Sequence, residues 1–255
     1  MLKIGLKLWS INTDAYLSEA VRLYEQGVYD YIELFIVPDT LDCLCKWKQL
    51  KIPFIVHNAH SATGFNLAKK EMAERNLQIY EQTKKFADEL NAKYIIFHGG
   101  VDGDICETAR QLALFADARA LIENKPYLPI VGKVDGKYCR GATIDEIKYV
   151  MAEAKCGLCL DIGHAVCAAN YQKIEPYSYI RQLNLLKPKM YHLSDVTDMT
   201  GVYDAHPHLG TGQLDIRRLK NEIFPSDAVI SIETVKDSKE NLDDFERDAT
   251  WLKSL

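Results

Sequence analysis

The residues Gly157-Leu158-Cys159-Leu160-Asp161-Ile162-Gly163-His164 run as an apolar strand into a carboxylate, with an imidazole three residues further on. Five other short apolar runs stop the same way. They are Phe54-Ile55-Val56-His57, Tyr94-Ile95-Ile96-Phe97-His98, Ala120-Leu121-Ile122-Glu123, Met190-Tyr191-His192 and Val229-Ile230-Ser231-Ile232-Glu233. A strand this apolar has to be covered on both faces, as the strands of a parallel sheet are. An ionisable residue at its last position then stands where the strand leaves the core. Several such strands lying side by side in one direction bring their polar ends to one place.

Between these runs the sequence reads as helix. Thr13 or Asp14 can cap a helix whose apolar stripe is Leu17, Ala20, Val21, Leu23 and Tyr24, with Gly27 as its stop. Further helices are expected over 39–50, 67–90, 105–118, 177–186, 216–224 and 241–252. Thr143-Ile144-Asp145-Glu146 opens one more with capping-box spacing. Strands are expected at 2–9, 31–37, 52–57, 94–98, 120–123, 157–161, 189–193 and 228–235, and residues 124–142 form the longest irregular stretch.

Sustained strand–helix alternation calls for a parallel sheet with helical cover, and eight such units can close on themselves. The expected fold is therefore α/β, a single-domain (β/α)8 TIM barrel over residues 1–255, a length close to the ~250 residues typical of that architecture. No glycine-rich fingerprint follows the first strand, which argues against an open doubly wound sheet. In a barrel the loops at the C-terminal ends of the strands carry function, and the histidine and carboxylate endings all fall there.

Composition narrows the partners. A net charge of −5 gives no general affinity for polyanions, where a dedicated DNA-binding domain shows a basic excess. No apolar run approaches the ~20 residues that span a bilayer, and Met1-Leu2-Lys3-Ile4 leads directly into a strand, so a cytoplasmic protein without membrane contact is expected. The seven cysteines include Cys156 and Cys159 at CxxC spacing, with no second pair to complete a zinc knuckle, and are expected to be inert thiols. The sequence implies no protein partner.

The chemistry-bearing residues are His57, His98, Glu123, Asp161, His192 and Glu233 at strand ends, His164 just past Asp161, and Asp204 and His206 in the seventh loop. A lone histidine or glutamate at a strand end is ordinarily a hydrogen-bonded rim residue. Nine together are different, because carboxylates meeting at a buried mouth repel unless cations or partners offset them. Imidazole mixed with carboxylate is the donor set of zinc, manganese and related ions. Nine donors are more than one ion needs.

The motifs Leu160-Asp161-Ile162-Gly163-His164-Ala165, Tyr191-His192-Leu193-Ser194-Asp195 and Asp204-Ala205-His206, the last before Leu209-Gly210-Thr211-Gly212, resemble the xylose-isomerase-like barrels. That superfamily holds sugar isomerases and epimerases and also endonuclease IV, and the resemblance covers essentially the whole chain. In the isomerase branches it implies one metal on Glu123, Asp161, His192 and Glu233. In the endonuclease IV branch it implies up to three zinc ions: His57 and His98 with a bridging Glu123, then the four central residues, then His164, Asp204 and His206. The first strand ends Lys7-Leu8-Trp9-Ser10, where the endonuclease branch has a Gly-Ala-His-Val-Ser-like end, and Ile32-Glu33-Leu34-Phe35 is similar to the sugar enzymes.

Two functions follow. The first is a metal-dependent hydrolase with two or three Zn2+ ions, acting on abasic-site DNA or a smaller phosphoester, with Glu123 fixing the metals and Glu233 orienting water. The alternative is a sugar isomerase or epimerase with Mn2+ or Mg2+, in which Glu123 and Glu233 move a proton at the carbon beside a carbonyl. A third class is a metal-binding scaffold without activity. Trp9 and Phe35 are expected to stack on substrate, His60 to touch it, and Lys133 and Arg140 in the long loop, with Lys125, Lys137, Tyr127 and Tyr138, to supply a lid or an anion contact. Asp195 is expected either to hydrogen-bond a ligand imidazole or to cap a loop.

Overall fold

In the computed structural model, which describes residues 1–132 and 134–255, the strands pair in chain order and the last returns to the first. They are β1 (Lys3–Trp9), β2 (Tyr31–Phe35), β3 (Phe54–His57), β4 (Ile95–His98), β5 (Ala120–Glu123), β6 (Gly157–Asp161), β7 (Met190–Leu193) and β8 (Val229–Ile232), all parallel and closed into a barrel. Helices α1 (Asp14–Glu25), α2 (Leu44–Lys48), α3 (Ala73–Glu89), α4 (Ile105–Phe115), α5 (Ile144–Ala154), α6 (Ile162–Tyr171), α7 (Pro176–Asn184), α8 (Ile216–Glu222) and α9 (Asp243–Ser254) complete the described residues. The fold is the TIM barrel expected from the alternation.

Strand side chains alternate between two environments. Leu6, Leu34, Val56, Phe97, Ile122, Leu160, Tyr191 and Ile230 face the helices in the main core. Tyr31, Ile55, Ile96, Leu121, Cys159 and Met190 form a separate cluster that fills the lower half of the barrel interior. Tyr31 lies so close to β1 that a Cβ at Gly5 would sit 2.3 Å from its ring, so only glycine fits opposite it. Two residues further along every strand but β8 the inward side chain becomes ionisable, and β8 has Ser231 there with Glu233 just past its end, which is how one pleat places apolar filling below and chemistry above.

The helices follow local rules in most places. Thr13 caps α1 by accepting from the Tyr16 N–H at 3.4 Å, and Thr143 caps α5 through Glu146 N at 3.2 Å. The capping box at α5 is only half made: the Glu146 carboxylate turns to Gly141 N and Ala142 N, at 2.9 and 3.2 Å. The segment expected to be helical over 39–50 shortens to a 3-10 turn, Leu41–Cys43, and one turn of α2. Helix α6 corrects the expected eight helical segments. Its residues are small and buried on every side, so no 3.6-residue polarity marks it in the sequence. Asp161 caps it, with Oδ1 accepting from His164 N at 2.7 Å. No helix among the described residues is long and apolar enough to cross a membrane.

Candidate metal centre

Strand parity delivers the site. Lys7 of β1, Glu33 of β2, His57 of β3, His98 of β4, Glu123 of β5, Asp161 of β6 and His192 of β7 point inward at the mouth, and Glu233 follows the end of β8. Register sets the neighbours: Lys7 lies beside Glu33, His98 beside Glu123, and Asp161 beside His192. His164 enters from the first turn of α6, and Asp204 and His206 from the loop between β7 and α8. His206 holds that turn with a left-handed backbone (φ 50°).

The nine residues anticipated as ligands gather in one place. His57 Nε2 and His98 Nε2 lie 3.1 and 3.2 Å from Glu123 Oε2. His192 Nδ1 lies 3.0 Å from Glu233 Oε1, 3.4 Å from Glu123 Oε2 and 3.8 Å from Asp161 Oδ2. Asp204 Oδ2 lies 3.3 Å from His164 Nε2 and 2.5 Å from His206 Nε2. Glu123 Oε1 stands 3.0 Å from His164 Nδ1, so this carboxylate is shared between groups. In each of the sets His57–His98–Glu123, Glu123–Asp161–His192 and His164–Asp204–His206, the donor atoms fall within 4.8 Å of one another.

Hydrogen bonds aim these donors. His57 Nδ1 donates to Asn58 O at 2.7 Å and His206 Nδ1 to Glu233 O at 2.8 Å, which leaves each Nε2 lone pair facing the cluster. His192 Nε2 donates to Glu33 Oε2 at 2.9 Å, and the Ser231 hydroxyl, 3.0 Å from Tyr31 OH, donates to the same oxygen. Glu33 therefore fixes the ring whose Nδ1 faces three carboxylates. The sequence reading did not place it in the site. Its signal was a charge inside Tyr31-Ile32-Glu33-Leu34-Phe35, every residue of which is buried. Glu33→Gln is expected to weaken metal affinity about 10–100-fold with the fold intact, as loss of such an outer partner does; competition with a fluorescent chelator measures it, and unaltered affinity refutes the role.

The site's charge suits a divalent cation. Buried His192 Nδ1, Asp204 Oδ2 and Glu233 Oε1 face only other ionisable groups of the cluster among the described residues, with no backbone or hydroxyl partner. Burial pushes His164 down, yet the Asp161 and Asp204 carboxylates lift it to about 9. Burial likewise disfavours the Glu123 anion, and His98, Lys125 and His192 hold its carboxyl well below the usual range. The carboxylates around His164 attract positive charge, whereas burial pushes His57 and His98 down toward the neutral form, and neutral imidazole with carboxylate is a zinc donor set. Residues and group fit.

Two lysines join them. Lys7 Nζ bridges Glu233 and Glu33, at 3.1 Å from Glu33 Oε1. Lys125 Nζ lies 3.0 Å from Glu123 Oε1, 3.3 Å from His164 Nε2 and 3.4 Å from His98 Nε2. Lys125, expected to supply a lid or an anion contact, reaches into the centre. Lys7 was missed because nothing in the sequence says that its side chain, rather than its neighbour's, points into the barrel.

A cavity of about 810 Å3 opens above the cluster, and Trp9, Phe35 and His60 line it. Arg140 does not. Its guanidinium is spent on Asp102 O, Gly103 O and Glu146, which pins the long loop to the loop after β4 rather than meeting an anion. Lys133 lies outside the described residues. Asp195 touches no imidazole; it accepts from Gly210 N, Gly212 N and Leu214 N at 2.9–3.0 Å and shapes the loop that carries Asp204 and His206. His208 is clasped between Asp248 and Asp237, at 2.9 and 3.0 Å. Burial pushes the Cys156 and Cys159 thiols up, to about 11 and about 12, as inert cysteines require.

Comparison with known proteins agrees with this architecture. The chain is 24% identical over 209 residues to endonuclease 4 of Thermus thermophilus, an alignment covering 79% of this chain and 76% of that protein. Two solved structures share the fold. The TTHB071 protein of Thermus thermophilus, soaked with ZnCl2, superposes at a TM-score of 0.71 with 19% identity over 99% of this chain and 97% of that one. A D-tagatose 3-epimerase-like protein does so at 0.66 with 18% identity over 99% and 94%. The sequence profile described as xylose isomerase-like TIM barrel matches residues 25–255, and with the closed barrel and its mouth of inward donors this places the chain in the xylose isomerase-like TIM barrel family.

Proposed function

We propose that this protein is a divalent-metal-dependent phosphoester hydrolase. One observation carries the reading: the outer donors His57, His98, His164, Asp204 and His206 converge on the same mouth as the central four. Proton shuttling on a sugar has no need of those five. Glu123 is also ill suited to act as a free acid or base, since His57, His98, His164, His192 and Lys125 all contact its two oxygens. The 24% identical relative named endonuclease 4 supports the same reading.

His57, His98 and Glu123 would hold one ion, Glu123, Asp161, His192 and Glu233 a second, and His164, Asp204 and His206 a third, with Zn2+ the metal that this donor set suits best. Clustered divalent cations supply Lewis-acid stabilisation for a phosphate and for the attacking and leaving oxygens. The chain's own groups do the rest. The Glu233 carboxylate, at the cavity wall between His192 and Lys7, orients the attacking water and takes its proton. Lys7 and Lys125 receive the anionic oxygens of the substrate. Such a pocket, in a chain of net charge −5, fits a small phosphoester better than duplex DNA.

Protein purified without chelator should carry two or three zinc ions per chain by elemental analysis and hydrolyse bis(p-nitrophenyl) phosphate. One exchangeable Mn2+ or Mg2+, with solvent hydrogen entering a ketose and no phosphoester cleaved, would hand the chemistry to the isomerase reading.

A further inference from the structure

Above the metal centre the cavity changes character. Its upper wall is built from Val101, Pro126, Pro129, Ile130 and Val134. The Trp9 indole leans on Phe35 with ring centroids 5.0 Å apart, yet remains 45% exposed, so one side of a large flat surface faces the opening. Phe35 in turn meets His60 at 5.0 Å, and His60 lies parallel to His98 at 5.3 Å and 10°. Aromatic surface thus runs unbroken from the rim to a residue of the first donor group.

Much of the polar side-chain capacity in this upper part is already engaged, the exceptions among the described residues being Ser61, the exposed Lys239, Asn12 Nδ2 and His60 Nε2. Asn12 Oδ1 accepts from Trp9 N at 2.5 Å, and Thr63 Oγ1 is bonded to both His60 N and His60 O. Ser238 Oγ accepts from Glu240 N at 3.0 Å, and the Thr234 hydroxyl donates to Asp248 at 2.7 Å. His60 Nδ1 accepts from Ala62 N at 3.2 Å. A sugar loses the hydration of each hydroxyl on entering a pocket and needs a partner in return. This wall offers it few. A flat apolar ring needs none and gains from burial against an indole.

We infer that the substrate is an aryl phosphoester, a small molecule with one phosphate group and one flat apolar ring, the ring lying on Trp9 and the phosphate at the Lys7 and Lys125 end. The phosphate half of this inference rests on the hydrolase reading; the ring half rests on the wall. In the reaction the oxygen of water bonds to phosphorus, and the bond from phosphorus to the aryl oxygen breaks with its electron pair left on that oxygen. Glu233 takes the proton from water and the departing aryl oxide recovers it, so phosphate and a phenol are the products.

Calorimetric titration of the metal-loaded protein with two non-hydrolysable probes separates the halves. Phenylphosphonate should bind roughly tenfold or more tightly than methylphosphonate, because only the ring differs. Trp9→Ala should erase that difference, and Trp9→Phe should restore most of it. Equal affinity for the two probes, or a preference that survives Trp9→Ala, overturns the aryl assignment while leaving the hydrolase reading in place. Failure of both probes to bind overturns the two together.

Discussion

Adding a chelator to the metal-loaded protein is expected to lower its melting temperature by about 8–16 °C and to abolish phosphoester turnover. The size follows from linkage: an ion present at a thousand times its dissociation constant stabilises the native state by about 4 kcal/mol. Each kcal/mol moves the midpoint of a domain this large by roughly 2–4 °C. The cause lies in the mouth of the barrel, where Glu33, Glu123, Asp161, Asp204 and Glu233 face two lysines. With every imidazole neutral, as metal ligation requires, three negative charges are left for cations to balance; without metal the raised His164 offsets part of that charge, and unbalanced buried charge is costly. Calorimetry with and without chelator, followed by readdition of Zn2+, tests this. A midpoint that chelator leaves in place would show that histidine protonation and the lysines already balance the site.

The second large effect belongs to Glu233→Gln, which is expected to lower kcat about 10²–10⁴-fold, the range for removing a positioned acid–base group. The amide keeps the size of the side chain and an oxygen donor, and Glu123, Asp161 and His192 still converge on the second site, so at saturating Zn2+ the metal content should stay that of the parent. It removes the charge proposed to orient and deprotonate water beside His192 and Lys7. Rate and elemental analysis must be read together. Parent turnover would place the base elsewhere, and a variant stripped of zinc would make Glu233 a ligand without a separate catalytic part.

How much of this was legible in the chain depends on what each residue's neighbours reveal. His57, His98, Glu123, Asp161, His192 and Glu233 announce themselves because each interrupts an apolar run, and burial is the default for such runs. Asp204 and His206 show only as a short motif before a glycine-rich turn. Glu33 and Lys7 stayed hidden for a common reason. In a strand buried on both faces nothing in the sequence says which parity points into the barrel, so a charge there reads as an irregularity. Helix α6 was hidden by the same uniformity, since residues buried on all sides carry no periodic contrast. Arg140 misled in the opposite direction: a cation in a long loop reads as an anion contact, and only the path of the backbone shows it holding Asp102 and Gly103.

The sequence by itself determined the alternation of eight strands with helices, and hence a parallel barrel, because hydrophobic pattern and chain-length limits act locally. It also determined which side chains stand at the strand ends. Tertiary structure alone decided that two lysines share the pocket with those donors, that Glu33 aims His192, and that the pocket's upper wall is aromatic and apolar. These are contacts between residues far apart along the chain, and their geometry exists only once closure of the barrel has fixed strand register and the inward face.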